Sequence, residues 1–340
     1  MLTSQLVPAV LKEYGDLTRH AMNEYLPVGS RFAETVADYP RRGGKMMRPS
    51  LCLATARAFG APLTEAVRSA LVIELLHNAL LIHDDIQDES EERRGRPALH
   101  VEHGIPLALH AGDTLALLAL RPLIDNSSEI GMSLALRVLE ETDHMAAVSA
   151  EGQAMELGWI WDNITALTED AYLEMVLKKT CWLATIYPLR VGALIATRDT
   201  VDLDPFIRFG FFLGAAFQIH DDVLNLVGEH EKYGKELNGD LWEGKRTLML
   251  IKLFREATVD ERLRLNEILA KKRESRTADE VSWMRERMDA YGCIEQAQQI
   301  ARGLAGAALH EFSLAYGGLP PSRDRQFLEE IIPWVFERRA

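Results

Sequence analysis

The sequence predicts an all-α protein: one large helical bundle whose central helices surround a hydrophobic cavity. Three observations carry that expectation. Apolar residues recur at helical spacing through most of the chain, as at Leu71, Leu75 and Ile82 and again at Leu107, Ala111, Leu115 and Leu118. Alternating, strand-like patterning is nearly absent, and Leu, Ala, Met and Glu, all good helix formers, dominate. Finally, residues 66–82 and 207–226 are apolar around much of their circumference, which suits helices inside a bundle rather than on its surface.

Taken in order, the N-terminal MLTSQLVPAVLKEYG lacks the basic start, apolar run and small-residue cleavage site of a secretory signal. A basic break, YPRRGGKMMRP at 39–49, precedes the helical run 66–82, which leads directly into the acids HDDIQD at 83–88. The basic stretch SEERRGRP follows. The apolar segments 71–82 and 105–124 are too short or are interrupted by Glu74, His77, His110, Asp113, Arg121 and Pro122, so neither is expected to span a membrane. Further breaks are expected around Pro188 and near Pro205. The run 207–226 carries a second acid motif, HDDVLN at 220–225, and residues 228–244 form a loop with Lys235. Lys245 and Arg246 come next, and GGLPP at 317–321 marks the last break. No Pro/Ser-rich or low-complexity linker divides the 340 residues, so one domain, 1–340, is expected.

The two acid motifs are the most informative feature. On a helix, residues four apart share a face, which pairs Asp84 with Asp88 and Asp221 with Asn225. Like charges so placed repel by roughly a few tenths of a kcal/mol per pair and want a cation. Oxygen donors without a His/Cys cluster suit magnesium, which binds through a few carboxylates plus substrate phosphates. Each motif is followed by bases, Arg93, Arg94 and Arg96 after the first and Lys235, Lys245 and Arg246 after the second. Acids that hold metal beside bases that pair with oxyanions make a polyphosphate site. A plain bundle with solvated acids is the competing reading of either motif alone.

A net charge of −13 argues against nucleic acid as the main partner. The three cysteines, Cys52, Cys181 and Cys293, are widely spaced and odd in number, which fits a reducing, cytoplasmic setting and offers no metal-ligand spacing.

Several blocks in a fixed order, GGKMMRP, ELLHNALLIHDDIQDESEERRGRPALH, AGDTL, GQAMEL, KKT, FQIHDDVLNL and YGKELNGDLWEGKRT, resemble the trans-isoprenyl diphosphate synthases, or polyprenyl synthetase family. The resemblance runs from about Gly43 to Lys252. It implies an all-helical fold, usually a homodimer, that joins isopentenyl diphosphate to an allylic diphosphate with magnesium and releases diphosphate. By position, it implies that Asp84 and Asp88 bind two magnesium ions on the allylic diphosphate and Asp221 a third, with Asp85 and Asp222 supporting them. Arg93, Lys179, Lys235 and Lys245 would contact the allylic diphosphate, and Thr180 and Gln218 would lie beside its reacting end. Lys45, Arg48, His77 and Arg94 would hold isopentenyl diphosphate. One departure stands out: the second motif ends in Asn225, where many members have aspartate.

The implied reaction ionises the allylic carbon–oxygen bond, adds the isopentenyl double bond to the cation and then loses a proton, without a nucleophilic side chain. In the family, residues just upstream of the first acid motif can floor the product tunnel. Here they are Ala79 and Leu80, and small Ala79 implies a product beyond fifteen carbons, geranylgeranyl diphosphate rather than farnesyl or a longer chain. Three other readings remain open. A class I terpene cyclase needs no second diphosphate site, so Lys45, Arg48 and Arg94 count against it. An HD-type phosphohydrolase would use His83 and His220 but leaves GGKMMRP and RRG unexplained. A regulatory subunit of a prenyltransferase would be expected to have lost acids or bases that are present here. The terminal Arg338 and Arg339 suit a helix end.

Overall fold

The computed structural model describes residues 5–228 and 237–337; Lys235, Arg338 and Arg339 lie outside them. The helices are α1 (Leu6–Asn23), α2 (Arg31–Arg41), α3 (Met47–Ala58), α4 (Leu63–Gln87), α5 (Leu99–His103), α6 (Ile105–Leu118), α7 (Leu120–Ile130) and α8 (Met132–Trp161). A long helical run follows: α9 (Glu169–Val176), a π-helical segment (Leu177–Ile186) and α10 (Tyr187–Thr197). Then come α11 (Asp204–Val227), α12 (Gly239–Glu243), α13 (Leu248–Glu256), α14 (Val259–Leu269), α15 (Ala278–Ala290), α16 (Cys293–Tyr316) and α17 (Arg323–Glu337). The expected all-α fold is the one observed.

Local chemistry starts many of these helices. Ser30 and Thr168 accept hydrogen bonds from Ala33 and Ala171, and Thr258/Glu261 and Thr277/Glu280 form reciprocal capping boxes. A continuous apolar core runs from Val7 in α1 to Val335 in α17. Tyr316 locks its centre: the ring lies 5.1–5.8 Å from Phe59, Phe206, Phe209 and Phe312, and its hydroxyl meets Thr55 Oγ1 at 2.8 Å. α11 packs against α16 and against the π-helical segment, and α8 packs against that segment as well.

Two expectations need correction. Pro188 breaks nothing: it sits at the start of α10, where the missing proline N–H falls at the junction with the wider π turns, and the helix runs through. The near absence of strand patterning is matched: among the described residues strand is confined to a two-residue hairpin pairing β1 (Glu92–Arg93) with β2 (Arg96–Pro97) through left-handed Arg94 and Gly95. By length and composition, three runs could cross a membrane: Leu63–Gln87, Ile105–Ile130 and Glu169–Thr197. The first and third are 61% and 78% buried inside the protein; the second is 39% buried and turns at Ala119 between α6 and α7.

Candidate active site

The last turns of α4, the middle of α8, the π-helical segment, α11 and the stretch after α12 enclose one cavity of about 680 Å³. Both acid motifs reach it. Asp84 on α4 and Asp221 and Asp222 on α11 line it, whereas Asp88, which caps the end of α4, lines a small side pocket with Asn225, Asp240, Glu243 and Lys245. Asp84 and Asp88 are already matched with ammonium groups. Lys179 sits 3.4 Å from Asp84 and also pairs with Glu156; Lys245 lies 2.7 Å from both Asp88 and Glu243. Burial works against the Lys179 ammonium, but Asp84 and Glu156 outweigh it and hold its pKa above the usual lysine range. Burial, helped by Asp84 and Glu243, pushes the Asp88 carboxyl up to about 7 despite Lys245.

Backbone approach places Lys179. A Cβ on Gly152 of α8 would lie 2.2 Å from the Lys179 nitrogen, and one on Gly214 of α11 would lie 2.9 Å from Cys181 Sγ. The two glycines therefore let α8 and α11 close on the π-helical segment, whose extra residue per turn presents Lys179 and Thr180 together to the cavity. A chain of hydrogen bonds crosses from there to α11. Thr180 Oγ1 donates to Gln218 Oε1 (3.1 Å), Gln218 Nε2 to Asp222 (2.7 Å) and Tyr172 Oη to Asp222 (2.6 Å). The Asp222 carboxyl is pushed up to about 7 by burial, which Tyr172 and Gln218 only partly offset.

A second group of bases, Lys45, Arg48, His77 and Arg94, lines the same cavity. Arg48 Nε is buried and finds no hydrogen-bond partner among the described residues, a cost that a bound anion would remove, while His77 Nδ1 faces Glu74 Oε1 at 3.5 Å. Burial lowers Arg48 to about 10, and burial with the nearby Arg48 charge lowers His77 to about 4. The hairpin separates its two arginines. Arg93 turns inward to grip Asp85 (Nε–Oδ2 2.9 Å), which also accepts from Tyr39 Oη at 2.5 Å. Left-handed Arg94 reaches over Gly44, where a Cβ would come within 2.9 Å of its guanidinium, and donates to the Tyr39 carbonyl at 2.9 Å.

Arg93 lines the cavity but is committed to Asp85, and Leu80 lines it while Ala79 is buried in the wall beside it. Leu80, Leu81, Leu157, Met175, Leu183 and Phe217 form the apolar part. Gln153 Nε2 donates to Asp84 (3.1 Å) and Gln87 (2.7 Å). Tyr172, Tyr39 and Glu243 were not foreseen: they meet Asp222, Asp85 and Ser90 across 46 to 153 residues of chain, beyond any local pattern. Asn225 accepts from the Asp240 N–H at 3.1 Å and pins the start of α12.

Among the described residues no group of three His, Cys, Asp or Glu side chains converges closely enough to hold a metal by itself. The donors are nevertheless hard oxygens lining one cavity beside bases, which fits a divalent cation that completes its shell with substrate phosphate.

The sequence profile of the polyprenyl synthetase family matches residues 30–287. The chain belongs to that family. Among curated relatives, this polyprenyl synthetase is 36% identical to the short chain isoprenyl diphosphate synthase of Methanothermobacter thermautotrophicus, over 87% of both chains. It is 31% identical to the geranylgeranyl pyrophosphate synthase of Geoglobus acetivorans, over 98% of this chain and 99% of the relative. The crystal structure of geranylgeranyl pyrophosphate synthetase from Pyrococcus horikoshii matches it with a TM-score of 0.85 at 32% identity, covering 98% of each chain.

Proposed function

We propose that this one-domain protein condenses isopentenyl diphosphate with an allylic diphosphate, head to tail, to give geranylgeranyl diphosphate and inorganic diphosphate. One observation carries the reading: a single cavity holds two separate sets of bases, one interleaved with the aspartates of the two acid motifs and one beside Glu74, together with an apolar wall. Two diphosphates and a growing hydrocarbon need that combination. In this reading Lys179 and Lys245, with Arg93 behind them, neutralise the allylic diphosphate as its carbon–oxygen bond breaks. Lys45, Arg48, His77 and Arg94 hold the second diphosphate so that its double bond meets the allylic carbon. Thr180 and the Gln218 carbonyl oxygen place partial negative charge beside the developing carbocation. Asp222 and Tyr172 hold the Gln218 amide in that orientation. Magnesium held by Asp84, Asp88 and Asp221, three ions with substrate bound, would supply further charge neutralisation of the departing diphosphate.

The names of the relatives support the twenty-carbon product. A homodimer is also proposed. Leu117, Leu120, Ile124, Met132 and Leu136, on α6, α7 and the start of α8, are large, apolar and exposed, an unusual load for a lone soluble chain. Three unpaired, buried cysteines suit the cytoplasm.

The test is incubation of purified protein with magnesium, isopentenyl diphosphate and, separately, dimethylallyl, geranyl or farnesyl diphosphate, followed by mass spectrometry. A twenty-carbon diphosphate is expected. Fifteen or more than twenty carbons would keep the reaction and refute the product, and no elongation from any starter would refute both.

A further inference from the structure

Lys245 owes its place to a loop, and the loop is held from behind by an arginine outside the cavity. Arg276 is buried and spends its guanidinium on backbone carbonyls. Nε donates to Ile268 (3.2 Å) and Nη2 to Leu269 (3.0 Å), while Nη1 donates to Leu241 (3.4 Å) and to Trp242. Ile268 and Leu269 belong to the last turn of α14, where carbonyls lack helical partners and positive charge is favoured, so the guanidinium needs no carboxylate there. Leu241 and Trp242 belong to α12, and Lys245 follows three residues after Trp242. Gly244 closes the turn directly over this group. Its φ is +75°, and a Cβ there would lie 2.7 Å from Arg276 Nη2. On the inner side Arg246 ties the same turn to Asn163 Oδ1 (2.7 Å) and the Ile164 carbonyl (3.0 Å).

We infer that Arg276 is a positioning residue for the acid-side diphosphate: it joins α12 to the end of α14 so that Lys245 meets Asp88. The inference rests on the proposal that Lys245 and Asp88 attend the allylic diphosphate. It predicts selectivity, because Lys45, Arg48, His77 and Arg94 are carried by α3, α4 and the residues around them, none of which Arg276 touches in the contacts described. The effect is graded, because the flexible lysine stem can follow a displaced loop part of the way.

The full-length protein and its Arg276→Lys and Arg276→Met variants are compared by calorimetry with inorganic diphosphate plus magnesium, and by steady-state kinetics for both substrates. Arg276→Lys, which keeps the charge but not the fork, is expected to weaken diphosphate binding and raise the allylic KM by about tenfold. The isopentenyl KM should stay within twofold and the melting temperature within a few degrees. Arg276→Met should show a larger change in the same direction. Unchanged diphosphate affinity in folded Arg276→Lys, or two KM values rising in step with lost stability, would overturn the inference. Should neither variant fold, hydrogen exchange on the wild type decides: diphosphate should slow exchange at 268–276 as well as 239–247, and protection confined to 239–247 refutes the link. A wild type that binds diphosphate but builds no carbon chain removes the proposed reaction and leaves this test standing. One that binds no diphosphate removes both.

Discussion

Asp222 shows how one buried carboxyl carries both order and cost. Its oxygens accept from Tyr172 and Gln218, yet burial holds the group at about 7 against an ordinary value of 3.8. Between those values the folded protein keeps a proton that the unfolded chain has lost, so this contribution to stability is full below about 4 and disappears as pH rises through 7. Asp88 acts in the same sense. His77, lowered from 6.5 to about 4, acts in the opposite sense, adding stability as pH rises between those values. Above pH 6.5 only the carboxylates contribute slope. Each such group is worth at most about 1.4 kcal/mol per pH unit. In thermal unfolding of metal-free protein from pH 6.5 to 8, Asp222→Asn should therefore lose less stability than the wild type. Parallel curves would show that Asp222 does not hold its proton.

At the scale of elements, the site depends on how closely α8 and α11 approach the π-helical segment. Gly152→Ala would place a methyl against the Lys179 backbone, which cannot rotate away. The expected cost is about 1–3 kcal/mol in chemical denaturation, with slower turnover because Lys179 shifts. An alanine variant as stable and as fast as the wild type would mean that the contact relaxes freely. α4 poses a different question. Ala79 is buried beside the lining Leu80, so Ala79→Phe would push an aromatic ring through the wall into the apolar part of the cavity. The product should shorten by at least one isoprene unit, with a modest fall in melting temperature. An unchanged chain length by mass spectrometry would place the floor elsewhere.

For the whole molecule, the exposed apolar side chains on α6, α7 and the start of α8 follow one another along the chain from Leu117 to Leu136. Leu117 and Ile124 are 68% and 66% exposed. Light scattering should give the mass of two chains, and the double variant Leu117→Glu/Ile124→Glu should scatter as one. A wild-type monomer would refute the dimer.

The helical spacing and the two all-round apolar stretches were enough to predict the all-α bundle, because periodicity reports directly which faces are buried. The spacing within HDDIQD and HDDVLN likewise put each set of acids on one helix face, since that geometry is local. Other features belonged to the packed chain alone. Pro188 looks like a break in one dimension, and only the π turns before it show how the helix continues. Arg93 and Arg94 are adjacent and chemically identical, yet a left-handed turn sends one to Asp85 and the other over Gly44. Tyr172 reaches Asp222, Glu243 reaches Ser90 and Arg276 reaches Leu241 through contacts between distant segments, which no window of sequence contains. Sequence determined the helices and the chemistry available to them, because both depend on neighbours along the chain. Tertiary structure decided which charges meet, because that depends on how closely separate helices can pack.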